Sequence, residues 1–163
     1  MKEYDAKDYF IKADEHFYTA LNLYAMYIQD NYPYHKFDPL SSIANNCELA
    51  GELYIKAYMT EYEIDFENTH ALEKHLEKCI AHDASFEVLK KEISLLVNYT
   101  SLVNYPNEIH LSKNVIDKTI KSVKKIMLFE KIEKIRNKYG IETPLLANDI
   151  FAGKNGIEVW HWT

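Results

Sequence analysis

The chain has 163 residues, 27% of them charged, with a formal net charge of −6, a size that suits one domain and needs neither metal nor disulfide for stability. It contains no 18-residue apolar run and no signal-peptide pattern, so the expectation is a soluble, cytoplasmic protein with no membrane contact. The charge is uneven: residues 112–138 hold nine Lys/Arg against three Asp/Glu in an otherwise acidic chain, which excludes a general nucleic-acid binder, whose surface must present many cations together.

In chain order, residues 3–30 place Phe10, Ala13, Phe17, Leu21, Tyr24 and Ile28 at steps of three and four, which predicts an amphipathic helix. Asn31-Tyr32-Pro33 stops it, because proline disfavours the helical conformation in the residue before it. Residues 40–62 predict a long second helix with Ser41 or Ser42 as N-cap. Its buried row is Ile43, Cys47, Ala50, Tyr54 and Ala57, widened by Leu49 and Leu53, and a helix this apolar belongs in the middle of a bundle. Gly51 is the one glycine in the first 139 residues. Mid-helix glycine costs roughly 1 kcal/mol against alanine, so close approach of a second backbone is expected there.

Asn68 or Thr69 is expected to cap a shorter third helix, opening at His70 and burying Leu72, Leu76, Cys79 and Ile80. Asp83 or Ser85 starts a fourth through Phe86, Leu89, Ile93, Leu96, Val97, Thr100 and Val103, stopped by Asn104-Tyr105-Pro106. Ser112 opens a fifth, running to about Lys138 with Ile116, Ile120, Val123 and Met127 continued by Leu128, Ile132 and Ile135. Tyr139-Gly140 ends it. The fold class is all-α: an up-and-down bundle of about five helices over 1–139 with a short C-terminal appendage over 140–163. That appendage holds both tryptophans and Leu145, Leu146, Ile150, Phe151 and Val159, a composition that favours an ordered segment docked on the bundle or on a partner subunit.

Several residue groups carry possible chemistry. Glu67-Asn-Thr-His70 is a single Glu-x-x-His string, where a diiron bundle needs two such strings and two further glutamates. His75, Cys79 and His82 share one helix face, but three ligands on one straight helix make a poor tetrahedral zinc site. No metal or other cofactor is therefore expected. Lys118, Lys121 and Lys125, flanked by Lys124, form a basic face that reads either as a solvated surface or as a meeting point for an anion or an acidic partner. Nucleophilic catalysis has little support, since Gly-x-Ser-x-Gly, Gly-rich phosphate loops and a Cys with a nearby loop-borne His are missing from the sequence.

The order of these helices resembles the HEPN domain over about residues 8–138. The resemblance is carried by the opening helix from Tyr9 to Leu21, by Ala50-Gly-Glu-Leu-Tyr-Ile-Lys-Ala57 with its Glu and Lys, by His70-Ala-Leu-Glu-Lys-His-Leu76, and by the Asn104-Tyr105-Pro106 ending of the fourth helix. Many HEPN proteins are metal-independent ribonucleases or toxins that act as dimers, with an Arg followed four to six residues later by His. Here Asn104 stands at the arginine position and His110 follows it, while Arg136 is the one arginine of the chain and no His follows it within that distance. Asparagine cannot offer a phosphate the charged fork of arginine.

The resemblance thus implies a homodimeric HEPN-like binding module, leaning away from enzyme. Its groove would be lined by Glu52, Lys56, Asn104, Tyr105 and His110. The ligand would be a nucleotide, an RNA segment or a partner protein such as a nucleotidyltransferase, in a toxin–antitoxin or similar system. Two alternatives stay open: a ribonuclease using His110, with Asn104 or another non-arginine partner, and a helical scaffold with no small ligand.

Overall fold

The computed structural model describes residues 4–29, 39–67, 69–103 and 113–143, the side chains of 99–103 excepted. Helix α1, Ala6–Ile28, opens with a reciprocal cap. The Asp5 carboxylate accepts from the backbone N–H of Asp8, and the Asp8 carboxylate accepts from that of Asp5. Both bonds satisfy donors that a helix start leaves orphaned. Its buried row is Phe10, Ala13, Phe17, Leu21 and Tyr24, as expected, while Ile28 is half-buried.

Helix α2, Pro39–Glu61, begins on a proline, whose fixed φ and missing N–H suit the first helical position. Ser41 and Ser42 therefore sit inside the first turn and are not the N-cap. This helix packs against α1 and against the four later helices, so it is the axis of the bundle. Ile43, Cys47, Ala50, Tyr54 and Ala57 are all buried. The buried face is widened by Ile55, Tyr58 and Met59, whereas Leu49 and Leu53 are only half-buried. Around Gly51 the nearest neighbours among the described residues are side chains and not a second backbone. A Cβ there would meet side-chain methyls instead, Leu96 Cδ1 at 2.9 Å and Ile126 Cδ1 at 3.4 Å. The chain leaves α2 through Glu63 at φ 53, a left-handed position, with Ile64 N–H bonding back to the Met59 carbonyl at 2.8 Å.

Helix α3, Leu72–His82, starts two residues after His70 and has no side-chain cap on its N-terminal residue, Ala71. Asn68 lies outside the described residues. The fourth helix is likewise shorter than expected. Asp83 accepts from Ser85 N–H at 2.9 Å and opens a 3-10 segment, Ala84–Leu89, before α4, Lys90–Val103.

The long fifth helix is two helices. Helix α5, Lys113–Met127, stops at a break where Leu128 is exposed and Phe129 is extended, and α6 runs Glu130–Lys138. The Phe129 ring turns inward onto Phe86, centroids 4.8 Å apart. The redirected α6 buries Ile132, Ile135 and Arg136, and Lys131 reaches Asp83 at 3.0 Å. Gly140, at φ +63, closes α6, and Ile141 N–H returns to the Arg136 carbonyl at 3.1 Å. Every regular element among the described residues is helical, and no helix among them is long and apolar enough to cross a membrane.

Candidate functional site

Two polar clusters are built into this apolar frame. The first lies where the outer turns of α2 meet the loop to α3. Glu52 and Lys56, one turn apart on α2, are both buried and joined at 2.5 Å between Oε1 and Nζ. The second carboxylate oxygen of Glu52 meets Nδ1 of His70 at 3.0 Å. His70 itself is 81% exposed along its side chain. A buried carboxylate thus orients an imidazole whose remaining edge faces water. Such a ring can exchange a proton or, when protonated, accept an anion.

An aromatic wall backs this pair. The Lys56 ammonium stands 5.8 Å from the Phe66 ring centroid, close enough for cation–π attraction. Phe66 also meets Tyr9 and His75 edge-on, at 6.1 and 5.7 Å. His75 donates from Nε2 to the Glu67 carbonyl at 3.3 Å, which leaves Nδ1 as a buried acceptor with no partner among the described residues. Burial, opposed by the bond to the Glu67 carbonyl and helped by the nearby Lys56 charge, holds the His75 imidazole below its ordinary pKa of 6.5, which favours the neutral ring.

The second cluster holds the single arginine. Arg136 is fully buried on α6 and forks onto Asp14 of α1, Nη2 to Oδ1 at 2.6 Å and Nη1 to Oδ2 at 2.9 Å. Nη1 also donates to the Glu142 carbonyl at 2.9 Å. The guanidinium lies 5.1 Å from the Phe10 ring and 5.9 Å from that of Tyr54. The Tyr54 hydroxyl donates to Asp14 at 2.6 Å. Burial and then the Asp14 carboxylate push that hydroxyl well above its ordinary pKa, which keeps it a donor. The carboxylate and the two rings hold the guanidinium in the core, where its Nε is buried with no hydrogen-bond partner among the described residues.

Of the residues expected to line a groove, Glu52 and Lys56 come together, but beneath the surface and turned toward each other. Asn104, Tyr105 and His110 fall outside the described residues. The member that reading the sequence for a site missed is His70. Its signal was present in the His-x-Leu-x-x-x-Leu string, and only the folded chain links it to Glu52.

The other candidates separate. On the His75–Cys79–His82 face, Cys79 is buried in the core and its thiol is pushed up to about 12 by burial. His82 is exposed and lies against Tyr62, centroids 5.4 Å apart. Among the described residues no group of three or more His, Cys, Asp or Glu side chains could hold a metal ion. On the basic face, Lys125 is engaged with buried Glu92 at 2.7 Å. Lys124 is half-buried, and burial lowers its pKa to about 8. Lys118 and Lys121 are exposed. The patch is thus less uniformly cationic than its spacing promised.

An all-α bundle with a Glu-Lys pair buried on its central helix, followed by a histidine leading into the next helix, defines the class. The family model of the HEPN domain matches residues 35–134, well over half of the chain, and the chain belongs to that family. The matched span begins just before α2 and ends within α6, so α1 lies outside it although the resemblance was expected from residue 8. No curated protein and no solved structure matches the chain.

Proposed function

We propose that this chain is a HEPN-type binding module that lacks the family's arginine-dependent cleavage of RNA. It takes a nucleotide or a short RNA at the exposed imidazole of His70, in a homodimer that works beside a partner such as a nucleotidyltransferase in a toxin–antitoxin or similar system. One observation carries the reading. The single arginine is sealed into the core by Asp14, so it cannot supply the charge-assisted phosphate contact that the resemblance assigns to arginine, whose loss costs orders of magnitude in rate.

Binding is favoured over a bare scaffold by the exposed imidazole of His70, held by a buried carboxylate. The same pair gives the ribonuclease alternative its one foothold, since an oriented imidazole is what acid–base chemistry uses.

The test is incubation of the purified full chain with labelled RNA in a chelator, beside a thermal-shift series with nucleotides and short RNAs. Intact RNA and a raised melting temperature with at least one of these ligands is the expected result. Metal-independent cleavage lost on His110→Ala or His70→Ala would overturn the non-catalytic reading. Intact RNA with no shift for any ligand would leave the scaffold.

A further inference from the structure

The start of α1 and the loop between α2 and α3 bring three aromatic rings into one row. The centroids of Tyr4 and Tyr9 stand 5.9 Å apart and those of Tyr9 and Phe66 6.1 Å. The rings meet at 56° and 69°, not as parallel stacks. The row runs inward from the surface: Tyr4 is 58% exposed, whereas Tyr9 and Phe66 are half-buried against the core. Its inner end adjoins the His70 cluster. Phe66 shares the α2–α3 loop with His70 and faces the Lys56 ammonium at 5.8 Å. Burial, then Tyr4, then the Glu52 carboxylate raise the pKa of the Tyr9 hydroxyl, so that hydroxyl is within electrostatic reach of the carboxylate that holds His70.

We propose, on the reading of His70 given above, that this row is a stacking platform: a nucleobase of the bound nucleotide or short RNA lies on the Tyr4 ring beside Tyr9, and a phosphate of the same ligand meets His70. Charge sets that polarity. Asp5 and Asp8, the carboxylates of the α1 cap, stand at the Tyr4 end and repel a phosphate there, while an uncharged base is tolerated. The phosphate belongs at the imidazole, which accepts an anion when protonated. Stacking uses only the flat face that every base has, so it supplies affinity without choosing among sequences. It also needs no arginine, which suits a chain whose single arginine is buried on Asp14. Tyr4 and Tyr9 precede residue 35, so the platform lies outside the span matched by the family model.

The test titrates the full chain into a short RNA oligomer of 2-aminopurine, a base whose fluorescence falls when it stacks. Binding is expected to quench the probe. Tyr4→Ala should weaken binding about tenfold or more and remove most of the quench, with the helical circular dichroism unchanged, whereas Tyr4→Phe, which keeps the ring, should behave as the parent. Adenosine monophosphate should displace the probe about tenfold or more better than ribose 5-phosphate, which has the phosphate and no base. Parent-like binding and quench in Tyr4→Ala, with binding lost in His70→Ala, overturns the platform and leaves the reading of His70 standing. Equal displacement by the two competitors, or a Tyr4→Phe variant as weak as Tyr4→Ala, also overturns the platform alone. A parent chain that binds neither the oligomer nor adenosine monophosphate overturns the platform together with the reading beneath it.

Discussion

Arg136 closes its fork on Asp14 across 122 positions of sequence, with contacts of 2.6 and 2.9 Å. The arginine is wholly buried, and the aspartate is the group that makes its burial tolerable. Removing one member of such a pair costs about 3–5 kcal/mol, because the other charge is left in a medium that cannot solvate it. Asp14→Ala is therefore expected to lower the urea-unfolding free energy by about 3 kcal/mol. Arg136→Met combined with Asp14→Leu should lose much less than the two single losses added together. Equal, additive losses would show that the pair is not coupled.

His75 gives the protein a pH dependence whose sign is fixed by its burial. Its folded-state pKa is below the ordinary 6.5, with burial as the first cause, so the unfolded chain binds this proton more readily than the folded one. Stability is then unaffected above about pH 6.5 and falls as the pH drops from there toward the lowered folded value. His75→Leu should flatten this part of the profile. The measurement is the difference in urea midpoint between pH 7.5 and 5.5 for each protein, and an unchanged difference in the variant would remove His75 as the cause.

Gly51 balances two opposed effects. Alanine gains roughly 1 kcal/mol in helix propensity, but its Cβ would stand 2.9 Å from Leu96 Cδ1. That atom is the end of a movable side chain, so Gly51→Ala is expected to change stability by less than about 1 kcal/mol in either direction. Gly51→Val cannot be absorbed by one methyl shift and should cost about 2–3 kcal/mol. Thermal unfolding of both variants checks the contrast, and a valine variant as stable as the alanine one would refute it.

His70 separates function from stability. Its side chain is 81% exposed, so little packing is lost there, and the Glu52 carboxylate that loses its His70 partner keeps its pairing with Lys56. His70→Ala should therefore melt near the parent chain but lose most of the stabilisation that a bound nucleotide or RNA confers. Glu52→Ala has a different signature, because it strands Lys56 in the core. It should lower the melting temperature even without ligand. An alanine at position 70 that leaves ligand-induced stabilisation intact would move the binding surface elsewhere.

The apolar rows at three- and four-residue steps made α1 and the core of α2 legible, because a buried helix face has to repeat at that period. The break at Leu128–Phe129 is not legible in the sequence, since no proline or glycine marks it. A weaker signal was there: the buried row steps by five residues from Met127 to Ile132, which a straight helix cannot keep on one face. Leu128, apolar but exposed, fills that gap in the sequence and masks the break. For the site, Glu52 and Lys56 were readable as a one-turn pair, but their depth depends on packing by Phe66 and the α2–α3 loop. The fate of Arg136 was hidden for the same reason, because its partner stands on the first helix.

The unit that can be recognised in this chain is smaller than the unit that can fold. Matching starts at residue 35, yet Phe10, Ala13, Phe17, Leu21 and Tyr24 of α1 complete the same core as the central helix. A fragment cut at the matched borders would bare the side of α2 that α1 covers, including Tyr54, whose ring packs on Phe10. It would also leave out both Asp14 and Arg136. Such a fragment is expected to aggregate, which makes the borders of detectable similarity a poor guide to where this protein can be divided.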